Sequence, residues 1–209
     1  HPVIEWLNDK LLATFGRHKA PVLAMKDHLS DNEAVFLMSG VIPNRKSHPL
    51  IHRWFGMHYI DGEFQDVLYL EPALDKCGLS PDGTIANPNA TVDIKILQGI
   101  LPDAVEQARE WMSANRDEFN AELEPKLNKH LEELKSLKQR KYAHIEEKYG
   151  AADNNLWSQL RDKRRQQEQH EVDKIFEETE TWIRETMTTE DRPDIRVVAA
   201  FAGTNENTE

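Results

Sequence analysis

The clearest pattern in the sequence is a helical repeat of apolar positions that runs over Leu101–Met187. Over Val105–Tyr149 the apolar residues recur every three or four positions, which keeps them on one helix face. Tyr149–Asp153 predicts a turn, and a second arm repeats the spacing except over residues 162–170, which hold no apolar side chain. A helix over Pro102–Tyr149 would be about 72 Å long. We therefore predict a long antiparallel helical hairpin that protrudes from a smaller domain.

Pro125 interrupts the first arm, because a proline inside a helix removes a hydrogen bond and costs about 3 kcal/mol. The apolar spacing nevertheless passes through it in phase, from Leu123 to Leu127. A kinked but continuous helix is therefore predicted here in preference to a break.

Short apolar runs before the hairpin predict β-strands. Pro21–Met25 and Glu33–Ile42 are rich in Val, Leu, Phe and Met and are separated by a polar turn. Leu50–Ile60 and Glu63–Leu70 flank Asp61-Gly62, a residue pair favoured in two-residue turns. The second pair of strands is therefore predicted to form a β-hairpin.

Four further segments complete the expected layout. Residues 4–15 carry an amphipathic helix stripe that Gly16 would end. Pro72 suits the first turn of a short helix, and Thr91–Ile100 is interpreted as helical or irregular. Ile195–Phe201 is short, apolar and β-branched, which predicts a last, central strand.

These elements predict an α+β fold. We expect a small mixed β-sheet with flanking helices and a long protruding antiparallel helical hairpin, with the last strand rejoining the sheet. A single domain is predicted over residues 1–209, in which residues 1–100 and 192–203 form the sheet-bearing core and residues 101–190 form the hairpin. The chain begins without Met and without a signal-peptide pattern, so we interpret it as part of a longer protein.

Composition narrows the class of protein. The 209 residues carry a formal charge of −11, and 39% of them are hydrophobic. This balance is typical of a folded, soluble protein and argues against a surface built entirely for nucleic acid. The single cysteine, Cys77, excludes an internal disulfide, and no apolar run approaches the roughly 20 residues of a membrane span. We therefore expect a cytoplasmic protein without a membrane partner.

Charge is segregated along the predicted hairpin. Residues 103–134 carry a net −5 and residues 168–191 a net −7, whereas residues 135–167, with nine basic and four acidic side chains, carry a net +5. Weak ion pairs in a solvated hairpin would explain these charges. Clustered cations also suit a phosphate backbone or an acidic protein face. The candidate residues for binding nucleic acid or a partner are Lys138, Arg140, Lys141, Arg161, Lys163, Arg164 and Arg165.

The sequence contains no catalytic or metal-binding signature. Phosphate-binding, dinucleotide-binding, serine-hydrolase and zinc-protease motifs are all absent from it. His48, His52 and His58 share one side of an extended segment, but residues four and six apart on a strand are about 13 and 20 Å apart, too far for one ion. Neither catalytic residues nor a metal site nor a cofactor is predicted for this chain.

The layout resembles the C-terminal accessory region of bacterial SWI/SNF-type (RapA-like) helicases. The likeness rests on the order of four parts: His1-Pro2 opening an amphipathic helix, strands through residues 41–56 (VIPNRKSHPLIHRWFG), a long charged helical hairpin, and the last strand at Ile195–Phe201. The resemblance implies a domain that follows two motor lobes and contacts the motor, DNA or RNA polymerase. ATP and Mg²⁺ would be cofactors of that motor alone.

The sequence thus favours a non-catalytic accessory domain of an ATP-dependent SWI/SNF-type DNA helicase or translocase. Its expected partners are the upstream motor of the same chain and DNA or RNA polymerase. A stand-alone coiled-coil adaptor that binds a protein partner through the hairpin is the alternative. A hydrolase without a visible signature is a third class.

Overall fold

A computed structural model describes Lys10 and residues 19–79, 91–150 and 158–204. The described chain combines a five-stranded mixed sheet with three helices, which confirms the predicted α+β class. The helix predicted at residues 4–15 lies outside the described residues except for Lys10. The predicted turn is described only as far as Gly150, because residues 151–157 also lie outside.

The sheet has the strand order β1-β5-β2-β3-β4. Its strands are β1 (Val22–Ala24), β2 (Glu33–Pro43), β3 (Pro49–Ile60), β4 (Glu63–Tyr69) and β5 (Asp194–Ala202). β5 pairs parallel with β1 and antiparallel with β2, so it separates the first two strands of the chain. Nearly every residue of β2 is buried, as expected for a strand that is covered on both faces.

β3 and β4 form the β-hairpin that the sequence predicts. Asp61 and Gly62 both have positive φ, at 55° and 80°, as a two-residue turn of this kind requires. Ile60 and Glu63 close the ladder on either side of the turn. The register shifts once, between His58 and Tyr59.

Three helices are described: α1 (Leu70–Lys76), α2 (Ile94–Tyr149) and α3 (Ser158–Met187). Pro72 lies in the first turn of α1, as predicted. α2 contains 56 residues and continues through Pro125, so the predicted continuity is confirmed. None of the helices in the described ranges is long and apolar enough to cross a membrane.

The chain divides into two compact units. The sheet unit comprises residues 1–42, 49–115 and 191–209, and the helix-pair unit comprises residues 43–48 and 116–190. α2 contributes to both, since the division falls after Asn115.

The core of the sheet unit includes one side of α2. Ala104, Ala108 and Met112 of this helix are fully buried. Met112 lies so close to Gly40 of β2 that a Cβ atom there would be 2.7 Å from the Met112 sulfur, so a larger residue at position 40 would require the Met112 side chain to shift. Phe55 packs on Trp111 with their ring centroids 4.5 Å apart.

The helix-pair unit has an 11-residue repeat of positions that are partly buried or, at Ile145, buried, instead of a broad core. On α2 these positions are Leu123, Leu127, Leu131, Leu134, Lys138, Tyr142, Ile145 and Tyr149; on α3 they are Arg161, Arg165, Glu168, Val172, Phe176, Thr179, Ile183 and Met187. Such a repeat has about 3.67 residues per turn, close to the value of about 3.6 for a straight helix, so each stripe stays on one side. Ile145 is the one buried residue of the two helices within the described part of this unit.

The turn at residues 44–48 is fixed to α3 by a buried asparagine. The Asn44 side-chain oxygen accepts hydrogen bonds from the backbone N–H groups of Lys46 and His48, and its amide nitrogen donates to the Thr186 carbonyl oxygen at 2.9 Å. Lys46 also pairs with Glu185 at 3.1 Å. Asn44 therefore organises this turn within the helix-pair unit.

Candidate partner-binding surface on the helix pair

Charged side chains make most of the polar contacts between α2 and α3. Lys148 Nζ lies 2.7 Å from Glu168 Oε1, and the Tyr149 hydroxyl donates to the same oxygen at 2.6 Å. Lys138 Nζ lies 2.6 Å from Asp173 Oδ1. Hydrogen bonding to Glu168 raises the pKa of Lys148, and hydrogen bonding to Lys148 lowers the pKa of Glu168. Because these groups remain solvated, each pair contributes little to stability.

The contacts define two flanks of the helix pair. The Lys148–Glu168 ion pair bridges the helices on one flank, which we call the first flank. The hydrogen bond that Gln169 donates to Glu146 at 2.9 Å bridges them on the second flank. Residues spaced by 4, 7 or 11 positions from a bridging residue lie on the same flank, because these spacings return to nearly the same helix face.

Three of the seven predicted binding residues already have interaction partners. Lys138 pairs with Asp173, and Arg165 lies 3.5 Å from Glu146 and 3.6 Å from Asp162. Arg161 is half-buried and also has an interaction partner. Lys138 and Arg165 therefore contribute to the association of the two helices.

The other four form a basic surface: Arg140, Lys141, Lys163 and Arg164. All four side chains are exposed, and within the described ranges they form no ion pair or side-chain hydrogen bond. Lys141 is seven residues before Lys148 and Arg164 is four before Glu168, so both lie on the first flank. Of the seven residues predicted to form a binding surface, four therefore remain available, as the sequence neighbours Arg140-Lys141 and Lys163-Arg164.

The first flank also carries exposed apolar side chains. Leu137, Ile175 and Trp182 are 45%, 59% and 56% exposed. Leu137 is eleven residues before Lys148, and Ile175 and Trp182 are seven and fourteen residues after Glu168, so they lie on this flank. We call these three residues the apolar patch. A spacing of three or four residues does not distinguish these exposed residues from the partly buried positions between the helices. The 11-residue repeat of those partly buried positions does distinguish them.

The second flank contains a groove of about 570 Å³ between the helices. Its apolar base is formed by Leu131, Leu134 and Phe176. Its charged rim is balanced: Glu132, Glu177 and Glu180 face Lys135, Lys138 and Arg184. The groove therefore has no net preference for a ligand of either charge.

The sheet unit contains a cluster of charged side chains that the sequence pattern did not predict. His58 Nε2 lies 2.7 Å from Glu33 Oε1 and His58 Nδ1 lies 2.7 Å from Asp66 Oδ1, while Lys76 Nζ lies 2.7 Å from the same Glu33 oxygen. Burial alone would raise the pKa of Glu33. Hydrogen bonds from Lys76, the Ser30 backbone and His58 outweigh burial and lower this pKa to about 2.

The geometry of this cluster suits a structural role better than a catalytic one. Both ring nitrogens of His58 lie against carboxylate oxygens, so no lone pair is left for a metal or a substrate. Cys77 is buried, and burial is the main reason that its pKa is raised to about 12, which makes it a poor nucleophile. Nowhere in the described ranges do three His, Cys, Asp or Glu side chains converge as metal ligands.

Comparison with known proteins identified no similar protein. No family model matches the chain, and neither a curated protein nor a solved structure matches it. The resemblance to SWI/SNF accessory regions therefore stays a prediction.

Proposed function

We propose that this chain is a non-catalytic accessory module of a SWI/SNF-type DNA translocase and that its basic surface contacts nucleic acid. In this proposal α2 and α3 are the arms of an antiparallel hairpin that protrudes from the sheet, and β5 returns the chain to the sheet. Motor activity, ATP and Mg²⁺ belong to other sequence of the parent protein.

The observation that carries the proposal is the exposure of Arg140, Lys141, Lys163 and Arg164 without acidic partners in the described ranges. Other cations of the same unit, such as Lys148, are paired with carboxylates. On a protein with a net charge of −11, a cationic surface that is not neutralised locally is available to an anionic partner. Phosphates fit this surface because each contact with Lys or Arg releases a condensed counterion.

The spacing of the basic surface supports a backbone contact. The Gln169–Glu146 hydrogen bond places Lys141 nearly level with residue 174 on α3. Arg164 is ten residues from that level, which corresponds to about 15 Å along the axis. Successive phosphates of one strand rise by about 3.4 Å each, so the two dibasic pairs can reach one stretch of backbone.

The test is the affinity of the full chain for a fluorescent DNA duplex across a salt series. We expect binding that weakens with salt, and a double variant Lys141→Gln with Arg164→Gln should flatten the slope of log K against log salt by about 1.8. The matched control is Lys129→Gln with Lys174→Gln, which removes two exposed lysines that already face Glu133 and Glu178 within their own helices. Absence of binding at low salt, or equal slopes for both double variants, would contradict the proposal.

The apolar patch favours a second candidate, a coiled-coil adaptor that binds a protein. Exposed Trp and Ile side chains supply contact area that a phosphate backbone does not use. Variants of Ile175 and Trp182 would then weaken partner binding without changing its salt dependence.

A further inference from the structure

We infer that His144 regulates the basic surface: when its imidazole ring is protonated it adds a further phosphate contact, so that nucleic acid binds more tightly as pH falls. The inference rests on the proposed function, because it concerns the same surface. It is carried by the position of His144 among the cations of that surface and by the contrast with His130 on the same helix.

His144 borders the α2 half of the basic surface. It is four residues before Lys148, so it lies on the first flank, and 75% of its side chain is exposed. Arg140 and Lys141 precede it by four and three residues, spacings at which side chains are neighbours on a helix surface. A phosphate that contacts either of these cations is therefore within reach of the ring.

His144 also lies between the two halves of the basic surface along the helix axis. The hydrogen bond that joins the helices on the second flank places His144 nearly level with residue 171 on α3. Arg164 is seven residues from that level, about 10 Å toward the turn, and Lys141 is about 4.5 Å from His144 in the other direction. A nucleic-acid backbone that reaches from Lys141 to Arg164 therefore passes the ring.

Two carboxylates lie near the ring. Glu147 Oε2 is 3.9 Å from Nδ1 of His144. On α3, hydrogen bonds from Lys148 and Tyr149 lower the pKa of Glu168, and the positive charge of His144 lowers it further. Glu168 is already paired with Lys148, whereas in the described ranges Glu147 has its ion pair with His144 alone. A neutral His144 thus leaves the charge of Glu147 beside the basic surface without a cation to offset it.

Protonation of His144 changes the charge that a phosphate meets. The four cations of the basic surface are accompanied by Glu147 and by Glu171, which is seven residues after Arg164 on the first flank and forms no ion pair within the described part of the helix pair. Four cations and two carboxylates give a local net charge of +2, which a protonated His144 raises to +3. Histidine is the side chain that ordinarily changes its charge between pH 5 and 8. The basic surface therefore gains half of its net charge within that range.

His130 provides a comparison on the same helix. Like His144, it is exposed and has a glutamate three residues later, since its Nδ1 lies 3.7 Å from Glu133. It lies in the segment of residues 103–134, which has a net charge of −5, and it is ten residues, or about 15 Å, before Arg140. The two histidines therefore share their local setting, but only His144 borders the basic surface.

The first test measures the affinity of the full chain for a fluorescent DNA duplex across a salt series, at about pH 8 and about pH 6. In the wild type the lower pH should steepen the slope of log K against log salt by about 0.9, one phosphate contact, which corresponds to about eightfold tighter binding at about 0.1 M salt. His144→Gln should lose this gain, whereas the matched control His130→Gln should retain it. An equal gain in both variants overturns the inference.

A second variant makes the charge permanent. His144→Lys should bind at about pH 8 as tightly as the wild type does at about pH 6, and its affinity should change little between the two. Circular dichroism checks that each variant retains its helices. A folded His144→Lys chain that binds no more tightly than the wild type at about pH 8 overturns the inference.

The third test follows the ring itself. Binding and protonation are reciprocal, so DNA that binds the charged form about eightfold more tightly shifts the proton uptake of the ring upward by about 0.9 pH unit. Nuclear magnetic resonance of the His144 ring, assigned by its absence from His144→Gln, measures this shift with and without DNA, and the His130 ring is the control. A His144 ring that titrates identically in both samples overturns the inference.

Failure of this inference is distinguishable from failure of the proposed function. Salt-dependent binding at about pH 8 that Lys141→Gln with Arg164→Gln weakens supports the proposed function, whatever the contribution of His144. A chain that binds no DNA at low salt at either pH contradicts both.

Discussion

The sheet unit and the helix-pair unit are stabilised in different ways. In the sheet unit, β2, β3 and the first part of α2 bury large side chains such as Met38, Phe55 and Met112 completely. In the helix-pair unit, Ile145 is the buried residue of α2 within the described range, and α3 has no buried residue there. Burial therefore specifies the first unit, whereas a repeat of half-buried positions and charge pairs specifies the second.

Two carboxylates show the same difference. Glu33 and Glu168 both have a lowered pKa, and both accept hydrogen bonds from a lysine. Glu33 is buried, so losing its partners would leave charge in a poorly solvated place. Glu168 is half-exposed, and water can replace its partners. Similar pairs should therefore have unequal effects on stability.

The largest effect is expected for Met112→Ala. Met112 is completely buried against Gly40, and this close approach limits how far the site can collapse around a cavity. We expect the free energy of unfolding to fall by about 3 to 4 kcal/mol, as measured by urea denaturation. The control is Leu137→Ala, at a position that is 45% exposed, which should change stability by less than about 0.5 kcal/mol. A loss below about 1 kcal/mol for Met112→Ala would show that the core of the sheet unit is loosely packed.

Glu33→Gln should have the next largest effect. The variant removes the charge that faces both His58 and Lys76, so we expect a loss of about 3 kcal/mol. Asp66→Asn is the matched control, because Asp66 bonds to the other nitrogen of His58 but is largely exposed. Its loss should stay below about 1 kcal/mol. Equal losses of unfolding free energy in the two variants would show that the burial of Glu33 does not increase the contribution of its charge pairs to stability.

The pH dependence of stability provides a separate check on Glu33. Its pKa of about 2 in the folded protein is lower than the value of about 4.3 in an unfolded chain. A depressed pKa contributes stability that is present above the unfolded value and is lost as pH falls through the folded value. We expect the free energy of unfolding to fall between about pH 4.3 and 2 more steeply in the wild type than in Glu33→Gln. If the unfolding free energies of wild type and Glu33→Gln change in parallel with pH, the lowered pKa of Glu33 does not contribute to stability.

Ile145→Ala tests the helix-pair unit in the same way that Met112→Ala tests the sheet unit. Ile145 is 4% exposed, but it is surrounded by half-buried side chains that can move into the space it leaves. We expect a loss of about 2 kcal/mol, at the lower end of the range for such substitutions. Hydrogen exchange should show increased opening of α2 near position 145 and unchanged protection in β2. Increased exchange in β2 of equal size would show that the two units unfold together.

Local features of the sheet unit could be predicted from the sequence. Asp61-Gly62 specifies the turn between β3 and β4 because both residues accept positive φ. The sequence predicts a central last strand, but the strands that pair with β5, β1 and β2, could not be predicted, because they lie more than 150 residues from it in the chain. The local pattern of apolar and polar residues does not specify which distant strands pair.

The candidate site could be predicted only in part. The cationic segment is visible in the charge count, but the ion pairs of Lys138 and Arg165 join residues 35 and 19 positions apart, so the count cannot identify which cations are neutralised. The apolar patch was hidden because Ile175 and Phe176 both fit a three-or-four spacing. Only the facing helix decides which of the two becomes buried.

The smallest effect is expected for the ion pair that defines the first flank. In Glu168→Gln the amide can still accept hydrogen bonds from Lys148 and Tyr149, and water can solvate Lys148, which is half-exposed. We expect the smallest loss of the variants compared here in urea denaturation, and the difference from wild type should shrink further at high salt. Lys174→Gln, which removes a pair within α3, is the control for general loss of surface charge. A loss as large as that of Glu33→Gln would mean that charge pairs stabilise the helix-pair unit as strongly as the buried pair of Glu33 stabilises the sheet unit.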